Sequence, residues 1–366
     1  MGSLGPVATP PERIDLSGSP HEIGVQHGRQ LAAKIRSQIV VYDAMFQTNT
    51  KMDWDAVRKV SQDYAKTIQR LTPEIYTEME GIAEGANLDI LDIVALNSRS
   101  EIALGMFSDG CSSTGWDRKD LGVLLAQNWD WTARVKNNCV MMSIDQPNKP
   151  KIWMVTEAGI VGKIGFNSAS VATCMNAIRA KPVDSSKIPV HIALRVCLES
   201  TSKKEAIDRI KSLGGIASAQ HILLADTEGP VSLELTPKGD THILPDEDGI
   251  VCHTNHLIEN RDVHEPPWLS GSPIRLDRIR KLMKQVATTE KYVDGDILRR
   301  RVFSDTYNAP QAICCQEDPS RPIASRSSTL FCIVMKLGAC NDLPQAEVVW
   351  GQPGSGREGD VLHMPW

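Results

Sequence analysis

The chain has 366 residues, of which 41% are hydrophobic and 23% are charged, proportions that are ordinary for a globular protein. Its formal charge is −5 and its pI is about 6.0, and no basic cluster offers the positive surface that nucleic acid requires. No run of 18 apolar residues occurs, and the first residues lack the basic and apolar regions of a secretory signal. We therefore expect a cytoplasmic protein without nucleic-acid or membrane partners.

Nine cysteines are spread along the chain, and no Cys-x-x-Cys spacing is present. Several lie within apolar runs, as Cys174 and Cys332 do. Disulfide frameworks belong to small secreted domains, so we expect buried free thiols rather than disulfides. Without paired cysteine spacing a zinc ribbon is disfavoured, and no metal or other cofactor is expected.

The first third of the chain is predicted to be helical. After a proline-rich segment over 1–15, expected to be loosely held, apolar residues recur at helical spacing over 21–45, about 55–85 and 89–105. Pro73 is expected to break or restart the second of these stretches, because proline lacks the amide hydrogen that a helix interior needs.

The rest of the chain is rich in short apolar runs with strand character. The predicted strands are Val123–Gln127, Val140–Ile144, Ile152–Thr156, Ser170–Asn176, His221–Ala225, Val231–Thr236, Leu330–Met335 and Glu347–Trp350. Two predicted helices, over 190–212 and 273–286, separate the strand groups. This order favours an α+β fold with stacked sheets over βαβ repeats, and no repeat or long linker divides the chain into domains.

A polar segment over 107–115 separates the helical third from the strands and contains the pair Gly110 and Cys111. A thiol in this position can attack the carbonyl carbon of the residue before it, and glycine offers that attack the least obstruction. Cleavage would give Cys111 a free α-amine with an ordinary pKa near 8, so one residue would carry both nucleophile and base. Gly-Cys pairs are common, so the pair alone is weak evidence for cleavage and could instead be a small buried thiol in a turn.

Nine short motifs follow one another along residues 17–350. They are HEIGVQHG (21–28), EGIAEGANLDILDIVALNSRSE (80–101), DGC (109–111), AQNWDW (126–131), TEAGIVGKIGFNSA (156–169), HIALRVCLEST (191–201), LELTP (233–237), HTNH (253–256) and SRSSTLF (325–331). In this order they resemble the acyl-coenzyme A:isopenicillin N acyltransferase family, a branch of the N-terminal nucleophile hydrolases. The resemblance implies a four-layer αββα fold and a precursor that cuts itself into fragments 1–110 and 111–366, which stay together as a heterodimer.

The resemblance also implies catalytic residues. Cys111 matches the nucleophile, and Asp130 matches an acidic residue that would orient the α-ammonium group released by cleavage. Asn255 matches a residue whose amide would donate to the oxyanion of the tetrahedral intermediate. Ser325 and Arg326 match a Ser-Arg pair, in which Arg326 would form a bidentate pair with Asp130 and Ser325 would assist cleavage or substrate positioning.

Phe166, Asn167 and Trp116 are further candidates, for lining the acyl pocket. The expected activity is transfer of an acyl group from a thioester or amide donor to an amine through a thioester on Cys111, and an acyl-coenzyme A is one candidate donor. Two alternatives stay open: hydrolysis of N-acyl amino acid or β-lactam-type amides, and an uncleaved binding protein of the same fold. His253 and His256 have the spacing of a metal pair, but no third ligand stands at a suggestive distance from them.

Overall fold

The computed structural model of the chain describes residues 9–103, 110–267, 271–323, 326–338 and 343–366. Its helices are α1 Pro20–Thr50, α2 Trp54–Leu71, α3 Pro73–Ala86, α4 Ile90–Asn97, α5 Arg99–Ile102, α6 Val190–Leu198, α7 Lys203–Ser212, α8 Ser272–Thr289 and α9 Gly295–Leu298. Its strands are β1 Glu12–Ser17, β2 Ser112–Asp117, β3 Val123–Trp131, β4 Cys139–Asp145, β5 Ile152–Glu157, β6 Ile164–Asn167, β7 Ala172–Ala177, β8 Gln220–Asp226, β9 Gly229–Leu235, β10 Asp240–Ile243, β11 Ile250–His253, β12 Ser328–Leu337, β13 Gln345–Trp350 and β14 Val361–Met364.

The strands form two sheets that pack face to face. The first sheet has the order β1-β4-β5-β6-β7-β8-β9-β10, and the second has the order β11-β2-β3-β12-β13-β14. One apolar core fills the space between the sheets and extends under α1 to α4 and α6, and a second core lies between the outer face of the second sheet and α8. The fold is therefore α+β with four layers in αββα order, as predicted.

Helices α1 and α3 pack closely because glycine stands on both sides of their contact. A Cβ atom added at Gly24 would lie 2.0 Å from the carbonyl oxygen of Glu78, and one added at Gly81 would lie 2.4 Å from that of His21. Such distances are below any real contact, so these positions exclude side chains. The glycines in the HEIGVQHG and EGIAEG motifs thus serve the packing of the helical layer.

Each predicted strand is present, but six further strands were not predicted: β1, β2, β6, β10, β11 and β14. Of these, β2 and β11 position the site. The 1–15 segment was predicted to be loosely held, whereas β1 pairs in parallel with β4. The segment after Cys111 was read as polar loop, whereas β2 begins at Ser112. In the part of the chain that the structure describes, no helix combines the length and the apolar run needed to cross a bilayer.

Candidate active site

Asn255 and Cys111 meet at one end of the second sheet. β11 pairs antiparallel with β2 and sets His253 opposite Ser113. Continuing that register by two residues places Asn255 across from Cys111, since one step along each strand in opposite directions keeps an antiparallel pair in register. Two residues that are 144 positions apart in the sequence thereby come to lie next to each other.

Asp130 enters the same row from the neighbouring strand. β2 pairs with β3 so that Ser112 is opposite Asn128, and continuing this register places Gly110 across from Asp130. On the far side of β3, β12 sets Thr329 opposite Asp130. The end of the second sheet therefore presents Asn255, the Gly110–Cys111 junction, Asp130 and Thr329 in order across four adjacent strands.

The junction is buried and packed tightly against Asp130. Cys111 is only 2% exposed, and its Sγ lies 3.8 Å from the backbone carbonyl oxygen of Asp130. A Cβ atom added to Gly110 would lie 3.1 Å from Oδ2 of Asp130, which is tighter than most real contacts. Any larger residue before the cysteine would have to displace the Asp130 carboxylate by a few tenths of an ångström, and glycine also leaves the carbonyl carbon most accessible.

The Asp130 carboxylate is fully buried in β3 and is oriented by a hydroxyl group. Oγ1 of Thr329 donates to Oδ1 of Asp130 at 2.6 Å, and the backbone N–H of Cys315 donates to the same Oγ1 at 2.9 Å. Because the amide can only donate, the hydroxyl hydrogen is directed at the carboxylate. The register of β12 shifts between Thr329 and Phe331, a bulge of the kind that re-aims side chains beside active sites.

Arg275, in the first turn of α8, reaches the junction from the outer helical layer. One guanidinium nitrogen, Nη1, lies 2.6 Å from the carbonyl oxygen of Gly110, 2.6 Å from that of Cys111 and 3.0 Å from Oγ of Ser112. The other, Nη2, donates to Oδ1 of Asn255 at 2.9 Å. Arg275 is only 2% exposed. It is therefore a buried charge in direct contact with the predicted cleavage site, and it was not among the residues predicted from the sequence.

A signal for Arg275 was present in the sequence of α8. The buried positions of this helix include Ser272, Leu276, Ile279 and Met283, and Arg275 lies on the same face. A charged side chain on the apolar face of an amphipathic helix is seldom placed there for solubility, because a buried charge is costly without partners. The position of Arg275 on the apolar face of α8 was therefore the signal for its role.

Asn255 is held at both ends of its amide. Its Oδ1 accepts from Arg275, which can only donate, so this contact fixes which way the amide faces. Its Nδ2 donates to the carbonyl oxygen of Ala177 at 3.0 Å, and its backbone N–H donates to Oγ of Ser272. The amide nitrogen therefore faces the end of β7, in the space between the two sheets.

Comparison with known proteins identifies the family. The family model described as acyl-coenzyme A:6-aminopenicillanic acid acyl-transferase matches residues 116–353. A protein of Emericella nidulans named acyl-coenzyme A:6-aminopenicillanic-acid-acyltransferase 40 kDa form is 33% identical over 328 residues, which cover 88% of each chain. The chain belongs to this acyltransferase family. Membership confirms the resemblance read from the motifs and makes the chain an enzyme of acyl transfer or amide hydrolysis.

Two solved structures match the chain at low sequence identity. A variant of conjugated bile acid hydrolase from Clostridium perfringens matches with a TM-score of 0.50 and 13% identity, over 69% of this chain and 92% of that one. Penicillin V acylase from Agrobacterium tumefaciens matches with a TM-score of 0.42 and 12% identity, over 66% of this chain and 83% of that one. The first likeness places this acyltransferase-family chain in the N-terminal nucleophile hydrolase fold.

Arg326 does not form the pair with Asp130 that the resemblance implied. Its Nε donates to the carbonyl oxygen of Arg321 at 2.8 Å, and its Nη2 donates to that of Pro319 at 2.7 Å. The guanidinium therefore closes the loop before β12 and has no ion pair with Asp130 among the described residues. Ser325 lies outside the described residues.

Trp116 also lies away from the site, because β2 is a strand whose side chains alternate between its faces. Ser113 points to the first sheet, where its Oγ donates to Asn176, while Trp116 packs in the outer core with Ile279 and Met283 of α8. Its Nε1 donates to the carbonyl oxygen of Asp248. The prediction that Trp116 lines the acyl pocket is not supported by this position.

Phe166 and Asn167 lie at the opposite end of β7 from the site. Phe166 is opposite Ala172, whereas Asn255 contacts Ala177, five residues and thus roughly 16 Å further along the strand. The amide of Asn167 donates to the carbonyl oxygens of Leu198, at the end of α6, and Ser200, just after it, and accepts two N–H groups of its own turn. Asn167 thus anchors β6 to the end of α6, Phe166 stacks on Trp153, and the structure brings neither residue to Cys111.

The two histidines of the HTNH motif have hydrogen-bond partners of their own. Nε2 of His253 lies 2.9 Å from Oε1 of Glu234, and its ring stacks on that of His221 with 3.6 Å between centroids. Nδ1 of His256 lies 2.8 Å from Oγ of Ser272. Within the described ranges, no three side chains of His, Cys, Asp or Glu stand together as metal ligands would.

The other described cysteines are free, buried thiols, as expected. Burial raises the pKa of the Cys139 thiol to about 12 and that of the Cys252 thiol to about 11. Burial and, after it, the charge of Asp130 raise the pKa of Cys315 to about 12. A thiol in such surroundings is a poor nucleophile, because the thiolate is the reactive form.

A cleft of about 550 Å³ opens next to the site, and Ser328 and Thr329 form part of its wall. Thr329 is the residue that donates to Asp130, so this wall separates the cleft from the buried carboxylate by one side chain. Lys136 and Arg357 contribute cationic groups to the lining and Glu317 an anionic one.

Proposed function

We propose that the chain cuts itself between Gly110 and Cys111, and that the new N-terminal cysteine transfers an acyl group from a thioester or amide donor to an amine. The observation that supports this most directly is the junction itself. Cys111 is buried beside Asp130 and Asn255, and Arg275 contacts the carbonyl oxygen of Gly110. Family membership supplies the class of reaction.

The self-cleavage step balances without a cofactor. Sγ of Cys111 forms a bond to the carbonyl carbon of Gly110, and the bond from that carbon to the nitrogen of Cys111 breaks. The thiol proton ends on the released nitrogen, so an amine and a thioester result. Water then hydrolyses the thioester, leaving a carboxyl group on Gly110 and restoring the thiol of Cys111.

In the mature enzyme, the α-amine of Cys111 would take the thiol proton as the sulfur attacks an acyl donor. Asp130 would hold the α-ammonium form by its negative charge, because Gly110, which precedes that nitrogen, already packs against its carboxylate. Asn255 would donate from Nδ2 to the oxyanion. An amine then releases the acyl group as an amide, whereas attack by water would make the same enzyme a hydrolase.

The cleft beside Thr329 is the proposed entry route for the acyl donor. Its lysine and arginine suit a donor that carries negative charge, as the phosphates of an acyl-coenzyme A do. The relative from Emericella nidulans bears acyl-coenzyme A in its name, which supports the same donor class here.

Fragments 1–110 and 111–366 would stay associated as a heterodimer after cleavage. Arg195 forms two hydrogen bonds, of 2.9 and 2.6 Å, with Glu78 of the first fragment. Arg99 of the first fragment pairs with the buried Glu157 at 2.7 Å. These two ion pairs cross the proposed boundary in the buried interior, and β1 of the first fragment also pairs with β4 of the second at the edge of the first sheet.

Intact mass spectrometry and N-terminal sequencing test the proposal. The wild-type protein is expected to give two fragments of about 12 and about 28 kDa from the 40.2 kDa chain, the larger beginning CSSTGW. Cys111→Ala is expected to remain whole and inactive, and Cys197→Ala, a buried thiol elsewhere, to process normally. A whole wild-type chain with full activity, or an active Cys111→Ala, would contradict the proposal.

Incubation with acyl-coenzyme A and N-acyl amino acid donors separates the remaining possibilities. A transferase is expected to form an acyl adduct on the larger fragment and to pass it to an added amine. Release of the free acid at the same rate with and without amine would identify a hydrolase. An uncut chain that binds the donor and forms no adduct would identify a binding protein.

A further inference from the structure

Arg275 differs from the other buried arginines in the partners that surround it. Arg99, Arg195 and Arg299 each pair with a glutamate. Arg275 is equally buried, yet in the described ranges no carboxylate lies within ion-pair distance of it. A buried charge is expensive unless hydrogen bonds or an opposite charge compensate it, so the groups that do contact this guanidinium indicate its use.

Those groups are the carbonyl oxygens on the two sides of the proposed cleavage point, a serine hydroxyl and the Asn255 amide. Three acceptors share Nη1, which carries only two hydrogens. The oxygen that carries the most negative charge forms the strongest hydrogen bond with Nη1. While the chain is whole, the three compete as neutral oxygens, and none of them neutralises the guanidinium.

From this geometry we infer that Arg275 is a catalytic residue of self-cleavage, which stabilises the oxyanion that forms on Gly110 when the Cys111 sulfur attacks. The inference rests on the proposed cleavage before Cys111. As the carbonyl carbon of Gly110 becomes tetrahedral, its oxygen gains a negative charge 2.6 Å from Nη1. The interaction is therefore much stronger in the transition state than in the resting chain, and a difference of this kind is what accelerates a reaction.

Arg275 also orients Asn255, whose amide is the proposed oxyanion donor in acyl transfer. Its Nη2 holds Oδ1 of Asn255, so the amide nitrogen faces away from the guanidinium and toward Ala177. A residue in place of Arg275 that could accept as well as donate a hydrogen bond would not fix which end of the Asn255 amide faces it. Lysine would keep the charge but offers no planar pair of nitrogens to reach Gly110 and Asn255 together.

Three variants of α8 test this role in freshly synthesised protein, with cleavage followed over time on denaturing gels. Arg275→Met is expected to cleave about 10²- to 10³-fold more slowly than wild type, the usual loss for one oxyanion donor. Arg275→Lys is expected to be intermediate. Arg278→Met is the matched control: it lies on the next turn, removes an ion pair with Asp305, and is expected to cleave at the wild-type rate.

Chemical rescue separates the role in the reaction from a role in folding. Arg275→Ala leaves a space for guanidinium ion, added below its denaturing range, and is expected to regain cleavage with it but not with sodium chloride of equal strength. Hydroxylamine, which intercepts thioesters, is expected to release residues 1–110 from wild type faster than from Arg275→Met.

Two results would overturn the role of Arg275 alone: wild-type cleavage by folded Arg275→Met, or an Arg275→Ala protein whose thermal stability guanidinium restores while its cleavage stays slow. A wild-type chain that never yields a fragment beginning at Cys111 would instead remove the proposed function, and the role of Arg275 with it.

Discussion

The hydroxyl of Thr329 donates to Oδ1 of Asp130 at 2.6 Å and is itself fixed by the backbone N–H of Cys315. A hydroxyl orients a carboxylate without adding a positive charge, whereas an arginine in the same place would neutralise it. The hydrogen bond therefore fixes the orientation of the carboxylate, which in the proposed mature enzyme would hold the α-ammonium group of a newly exposed Cys111.

Replacing Thr329 with valine is expected to damage both stability and chemistry. The variant leaves a buried carboxylate oxygen and a buried backbone N–H without this partner, at about 1–3 kcal/mol of folding free energy. We expect slower self-cleavage and slower acyl transfer as Asp130 loses its fixed orientation, measured by gel and by donor turnover. Thr329→Ser, which keeps the hydroxyl, is the control; a serine variant as slow as the valine variant would show that packing, not hydrogen bonding, matters here.

Much of the candidate site could be predicted because three of its residues lie in motifs of the resemblance. Cys111, Asp130 and Asn255 were each named from the sequence, and the structure brings them together at one sheet end. Arg275 was missed because its partners are two backbone oxygens, a serine hydroxyl and the Asn255 amide, all on other elements, a relationship that no local motif records. Arg326 was assigned to Asp130, but the loop before β12 supplies nearer carbonyl oxygens.

The layered fold was predictable from the order of periodicities, but six of its strands were not, β1 and β2 among them. β2 has the sequence SSTGWD, which lacks the apolar alternation of a half-buried strand, since its inner face meets polar groups such as Asn176. β1 is short and charged, and its partner strand β4 lies more than 120 residues further along the sequence. Trp116 was assigned to the pocket because β2 was not predicted. The face to which a side chain points can be assigned only after its strand is recognised.

Glu157 is expected to be a major source of stability at the boundary between the two fragments. It is fully buried and accepts hydrogen bonds from Arg99 at 2.7 Å, Tyr42 at 2.5 Å and Gln38 at 2.6 Å, and it also pairs with Lys163. Glu157→Gln would leave two buried cations without their counter-charge, which typically costs about 3–5 kcal/mol.

Urea unfolding measures this cost best in the uncut Cys111→Ala background, where unfolding involves one chain. Asp208→Asn is the control, because its ion pair with Lys204 lies on the exposed face of α7 and is expected to matter little. A Glu157→Gln variant as stable as the Asp208→Asn variant would show that the hydrogen bonds of Glu157 suffice without its charge.

His27 is expected to make the protein less stable in acid. Its Nε2 accepts the backbone N–H of Gly159, and burial, aided by the charge of Arg195, lowers its pKa to about 3 from the ordinary 6.5. Below pH 6.5 His27 is protonated in the unfolded chain, whereas in the native protein it stays neutral down to about pH 3. The free energy of unfolding therefore falls across that window by about 1.4 kcal/mol per pH unit.

In the Cys111→Ala background, His27→Gln is therefore expected to lose less stability between pH 7 and pH 5 than its parent, by about 2 kcal/mol. Equal slopes for His27→Gln and its parent would assign the acid sensitivity to other groups.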